Sequence, residues 1–169
     1  HAQRLIVERG NQDVVPELIS LVADESQDAI GLNTAAIHSL WTLHGLGALN
    51  EPDGKAYEAA TNALQHPSAG VRRNAILVLP HNESSVQSIL AADLLSDPNA
   101  QVRLAAFLTL ADQPATSAGA DAIASALTQP QNHQDRWIPD AATSAAAHHA
   151  ELFLRAMVDK EPAVKRIGE

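Results

Sequence analysis

The stretch Asp97-Pro98-Asn99-Ala100-Gln101-Val102-Arg103 decides the fold. Proline lacks an amide hydrogen and drives the residue before it out of helical geometry, so Asp97-Pro98 marks a turn between helices. Asn99 can then cap a helix, and Val102, Ala106 and Leu110 follow at helical spacing. A similar junction, His66-Pro67-Ser68-Ala69-Gly70-Val71-Arg72-Arg73, stands 31 residues earlier and opens onto Val71, Ala75, Val78 and Leu79. A third follows Pro98 by 32 residues, where Gln129-Pro130 leads to Asp135-Arg136-Trp137. The segments before these junctions carry their own helical patterns: Tyr57, Ala60 and Leu64; Val86, Ile89 and Leu90; Ala120, Ile123 and Leu127. A period in the low thirties is the length of one helix–turn–helix unit, and self-similarity at that period is the signature of a solenoid.

Working outward, the pattern predicts helices at 2–9, 14–23, 31–44, 55–65, 69–79, 84–96, 99–112, 118–128, 134–147 and 149–158. Ser84, Asn99 and Thr116 are candidate N-caps, and Gly45-Leu46-Gly47 reads as a helix C-terminus. No Gly or Pro marks a turn near 147–150, where two helices could run together. The expected architecture is all-α, a right-handed α–α superhelix of four to five helix pairs in one domain over 1–169. The pairs fall at about 14–44, 55–79, 84–112 and 118–147, with partial repeats at both ends.

Composition agrees. The 169 residues include 32 Ala and 20 Leu against 10 Val and 9 Ile, and the aromatics are Trp41, Trp137, Tyr57, Phe107 and Phe153 alone. Small and straight-chain side chains favour helices, and alanine lets neighbouring helix pairs stack closely. With 20 acidic residues against 11 Lys and Arg, the net charge of −9 argues against a phosphate-backbone partner. The absence of cysteine excludes disulfides, thiolate metal sites and covalent haem attachment within this chain. No apolar run approaches the roughly 18–20 residues that span a bilayer.

The Asp97–Arg103 junction resembles the turn and second-helix start of a HEAT repeat; the junction at His66-Pro67 is similar but lacks the aspartate, and the third keeps Pro130 and Arg136 without the valine. The resemblance covers about 14–158 and implies an armadillo-like solenoid. It also implies an arginine–aspartate ladder between repeats: Asp97 and Arg103 fit it, Asp135 and Arg136 are a further candidate pair, and Arg72 recurs at the same place. Gln65-His66 stands where the ladder wants aspartate, so a break is expected there. The segments Ala2–Gly10 and Ala36–Gly47 are similar to the HEAT region of large secreted bacterial proteins that carry a membrane-bound-dehydrogenase-type propeller before it and a c-type haem domain after it. That narrower resemblance implies a periplasmic or extracellular connector, with 2–9 as the second helix of a pair begun upstream.

Candidate chemistry is sparse. His38 and His44 lie six apart, about 240° around a helix, and so do not share a face. No histidine pair has metal-ligand helical spacing, and no histidine–glutamate dipeptide of the di-iron kind occurs. Trp41, three residues from each of those histidines, reads as packing between helix pairs or as an aromatic–imidazole contact patch. Trp137, beside Arg136 at a helix start, is a candidate contact residue. The expected function is a protein–protein or interdomain scaffold without catalysis, cofactor or metal. Its expected partner is another protein or a neighbouring domain, with no nucleic acid, no membrane insertion and a monomeric state. The alternatives are the redox-module connector and a HEAT-like enzyme, which would need a basic concave face or His–Glu ligands.

Overall fold

The computed structural model describes residues 2–160, and within them every regular element is helical. In chain order these are α1 (Ala2–Arg9), α2 (Val15–Val22), α3 (Thr34–Gly45), α4 (Lys55–Asn62), α5 (Ala69–Val78), α6 (Glu83–Ala91), α7 (Ala100–Leu110), α8 (Ser117–Leu127), the short α9 (Pro130–His133), α10 (Ile138–His148) and α11 (Ala150–Lys160). Single 3₁₀ turns at Ala63–Gln65 and Leu94–Ser96 extend the helices before the two best-matched junctions. The all-α expectation therefore holds.

The boundaries have local causes. Asn33, Asn99 and Thr116 cap α3, α7 and α8, their side-chain oxygens accepting the amides of Ala36, Gln101 and Gly119. At α6 the expected Ser84 is replaced by Asn82, which accepts from the Ser85 amide. Ser84 lies inside the first turn, where its carbonyl accepts from the Ser88 hydroxyl. Pro16, Pro130 and Pro139 sit in first turns, where a missing amide hydrogen costs nothing. Asp93 adopts left-handed geometry (φ 52°), which turns the chain sharply between α6 and its 3₁₀ extension.

The helices alternate between two rows. In one row α1 packs on α3, α3 on α5, α5 on α7 and α7 on α10; in the other α2 packs on α4, α6 on α8 and α8 on α11. Contacts of α2 with α3, α4 with α5 and α8 with α10 close the rows against each other. The core is one continuous strip between them, including Leu40, Leu43, Ile76, Val102, Phe107, Leu110, Ile123 and Ile138, all under 1% exposed. Alanines at 36, 60, 75, 106, 120, 142 and 145 are equally buried, which is what allows the helices to approach. Where α1 meets α3 the approach is close, since a Cβ at Gly45 would lie 2.8 Å from Val7 Cγ2.

Candidate interaction site

The structure separates the residues singled out in the sequence. Trp41 is half-buried against the core, with its indole N–H donating to Asn74 Oδ1 at 2.8 Å. The His44 ring stands edge-on to it with centroids 5.7 Å apart, and His44 Nδ1 lies 3.0 Å from the Val78 carbonyl. His38 faces away, its Nδ1 2.9 Å from Gln3 Oε1 on α1. The two histidines thus join α3 to its two row neighbours, as their angular separation requires, and Trp41 is a packing residue with a satisfied polar edge.

Arg136 and Trp137 lie at another place, before α10. The guanidinium sits 4.8 Å from the indole centroid, and Trp137 is 55% exposed. Asp135 does not pair with Arg136; its carboxylate accepts the amides of Trp137 and Ile138, starting α10. Those two amides, Trp137 first, hold the Asp135 carboxyl below its usual 3.8. Asp24 is lowered in the same way by the backbone amide and then the hydroxyl of Ser26.

Among the described residues one arginine–aspartate rung forms, in a register other than the expected one. Asp97 pairs with Arg72 of the preceding unit rather than with Arg103, through two bonds of 2.7 and 2.9 Å. Arg72 Nη1 also donates to the carbonyls of His66 and Pro67 in its own turn. Arg103 repeats this geometry one unit later: Nη1 reaches the Asp97 and Pro98 carbonyls, and Nε reaches Asn132 Oδ1 at 2.8 Å. Asn132, wholly buried in α9, takes the place that Asp97 holds for Arg72. At His66, where a break in the ladder was expected, no arginine–aspartate pair forms, and the imidazole makes a link of its own. His66 Nδ1 accepts the Ser68 amide, which fixes the proton on Nε2 for donation to the Asp24 carbonyl 3.0 Å away. An imidazole therefore bridges two units where aspartate stands in the next.

A second set of polar side chains was not legible in the sequence. Gln113, with no exposed surface, accepts the Asn82 amide and donates to the Pro80 carbonyl. His149, 1% exposed, places Nε2 3.1 Å from the Leu110 carbonyl and Nδ1 3.3 Å from the Thr116 amide. Gly119 makes room for that ring, because a Cβ there would lie 2.9 Å from its Cε1. These groups satisfy backbone polar atoms at the helix ends, so their chemistry is spent on holding neighbouring units together.

Two exposed features remain. On α5 and α7, Leu77 and Leu108 occupy the same position 31 residues apart, 39% and 49% exposed, flanking an opening of about 200 Å³ with His81 and Asp112 at its rim. On the other row, α2 and α4 border a groove of about 630 Å³. No family model, curated protein or solved structure matches the chain. Among the described residues no group of three or more His, Asp or Glu side chains is placed to hold a metal ion, and no helix is long and apolar enough to cross a membrane. Of the two features, the leucine pair follows the repeat period directly, and no expectation had pointed to the groove.

Proposed function

We propose that this chain is a HEAT-like, right-handed helical array that serves as a protein-interaction scaffold. The repeat assignment is supported by the matched geometry of Arg72 and Arg103, each bonding its own turn and the acceptor of the next. The observation that carries the function is the exposed leucine pair. Leu77 and Leu108 stand in register on consecutive helices of one row, so they offer a partner two apolar contacts from a rigid base. A photoreactive residue at position 108 should trap a protein partner in the native cell, and Leu77→Asp should abolish the capture. Equal trapping from position 118, on the first turn of α8 in the other row, would overturn the reading.

A second reading has its own support. Leu5 on α1, and Leu154 and Val158 on α11, are 62%, 64% and 74% exposed, so both ends of the array carry apolar surface. Such ends suit packing against neighbouring domains, as a connector between a dehydrogenase-type propeller and a haem domain would require. Limited proteolysis of the protein in its longest natural form tests it: protection of α1 and α11 is expected, and cleavage there as rapid as in the isolated domain would sink it.

A further inference from the structure

The groove between α2 and α4 is several times larger than its counterpart between α6 and α8. The corresponding opening between α6 and α8 holds only about 110 Å³, against about 630 Å³ here. Ala59 and Ala63 line one wall of the large groove as Ala122 and Ala126 line one wall of the small one, where Ile89, Leu90 and Leu94 stand opposite. Ile19 and Val22 form the facing wall on α2. A further opening of about 380 Å³ shares Ile19 and Lys55 with it, so the depression runs on along both helices towards Gln12.

Its rim is acidic. Glu25 and Glu58 border the main groove and Glu51 the extension, with Lys55 as the cation between them. The chain as a whole is at −9, Arg72 and Arg103 are turned inward to the turns, and the three glutamates outweigh Lys55 along the lining. An anionic ligand is disfavoured on this rim, and an uncharged apolar one would leave the carboxylates idle. We propose that the α2–α4 groove is a docking site for a short basic polypeptide segment, with aliphatic side chains set against Ile19, Val22, Ala59 and Ala63 and Lys or Arg side chains reaching Glu25, Glu58 and Glu51. The site lies on the opposite row from Leu77 and Leu108 and stands independently of the scaffold surface assigned there.

The test uses the whole chain, ¹⁵N-labelled, and a blocked hexapeptide in which two leucines are flanked by lysines. Amide shifts are expected to concentrate in α2, α4 and the 23–28 and 51–54 loops, and to weaken as salt screens the carboxylates. The same peptide with glutamates for lysines should leave the spectrum unchanged. Ala59→Leu, which places a bulkier side chain in the groove, should remove binding while the thermal transition stays in place. Glu58→Lys should weaken binding about tenfold at low salt. Shifts centred on α5 and α7, or an Ala59→Leu protein that binds normally, would overturn the proposal. So would spermidine producing the same shifts at the same concentration, since that would mark a site for free amines and not for a peptide.

Discussion

At the scale of single residues, what matters is where each polar atom is spent. Asp97 does two jobs: it accepts the fork of Arg72 and, through Oδ1, the Asn99 amide that shapes the turn. Both partners are largely shielded, the side chains being 13% and 5% exposed. Removing the carboxylate strands a buried guanidinium, so Asp97→Ala should lower stability by about 3 kcal/mol in urea unfolding followed by helical circular dichroism. Asp97→Asn should cost only about 1 kcal/mol, because Asn132 already performs the equivalent task for Arg103. Equal losses for the two variants would show that the charge, not the acceptor geometry, holds the junction. The two lowered carboxyls give a further expectation. Asp24 and Asp135 have folded values below 3.8, so each favours the fold fully above 3.8, and that contribution is lost as pH falls through the lower folded value. Carbon-detected NMR titration should place both midpoints below 3.8, with Ser26→Ala moving Asp24 upward. A midpoint for Asp135 at or above 3.8 would contradict the capping role of its two amide bonds.

At the scale of elements, legibility followed the strength of the local signal. The turns at Pro67 and Pro98 and the caps Asn99 and Thr116 were readable because proline and short polar side chains act within a few residues. The arginine register was misread by one unit, since sequence order brings Asp97 nearer to Arg103 while stacking brings it to Arg72. His66, Gln113 and His149 were not readable at all: each acts across 30 residues or more, where no periodicity reports the pairing. The break between α10 and α11 is the clearest case. With no Gly or Pro to mark it, it falls at His149 (φ −98°, ψ 21°), whose ring is drawn into the gap between Leu110 and Thr116. His149→Ala would leave a cavity and two backbone groups without partners, at a cost of about 3 kcal/mol. Hydrogen exchange should then show α11 losing protection first, and an α11 that stays protected would mean its packing on α8 suffices without the ring.

At the scale of the whole molecule, the arrangement of contacts sets how damage spreads. The helices pack chiefly along their rows, with contacts across them at α2–α3, α4–α5 and α8–α10, and the core follows them as one continuous strip. In such a strip the stability of a segment depends on the segments beside it, and distant ones are coupled weakly. α1 has no buried residue, whereas α7 has six, so protection against exchange should rise from the α1 end towards α7. Phe107 is the sharpest probe because it is the largest of the fully buried side chains and sits at the middle of the strip. Phe107→Ala should cost about 4 kcal/mol locally. Its effect on exchange should fall on α5, α7, α8 and α10, while the amides of α2 and α3 keep most of their protection. A globular core would respond differently, since one cavity would lower every slow amide to the same free energy. Uniform loss of protection from α2 to α11 would therefore show a single cooperative unit, and would remove the physical basis for treating the chain as a linear array.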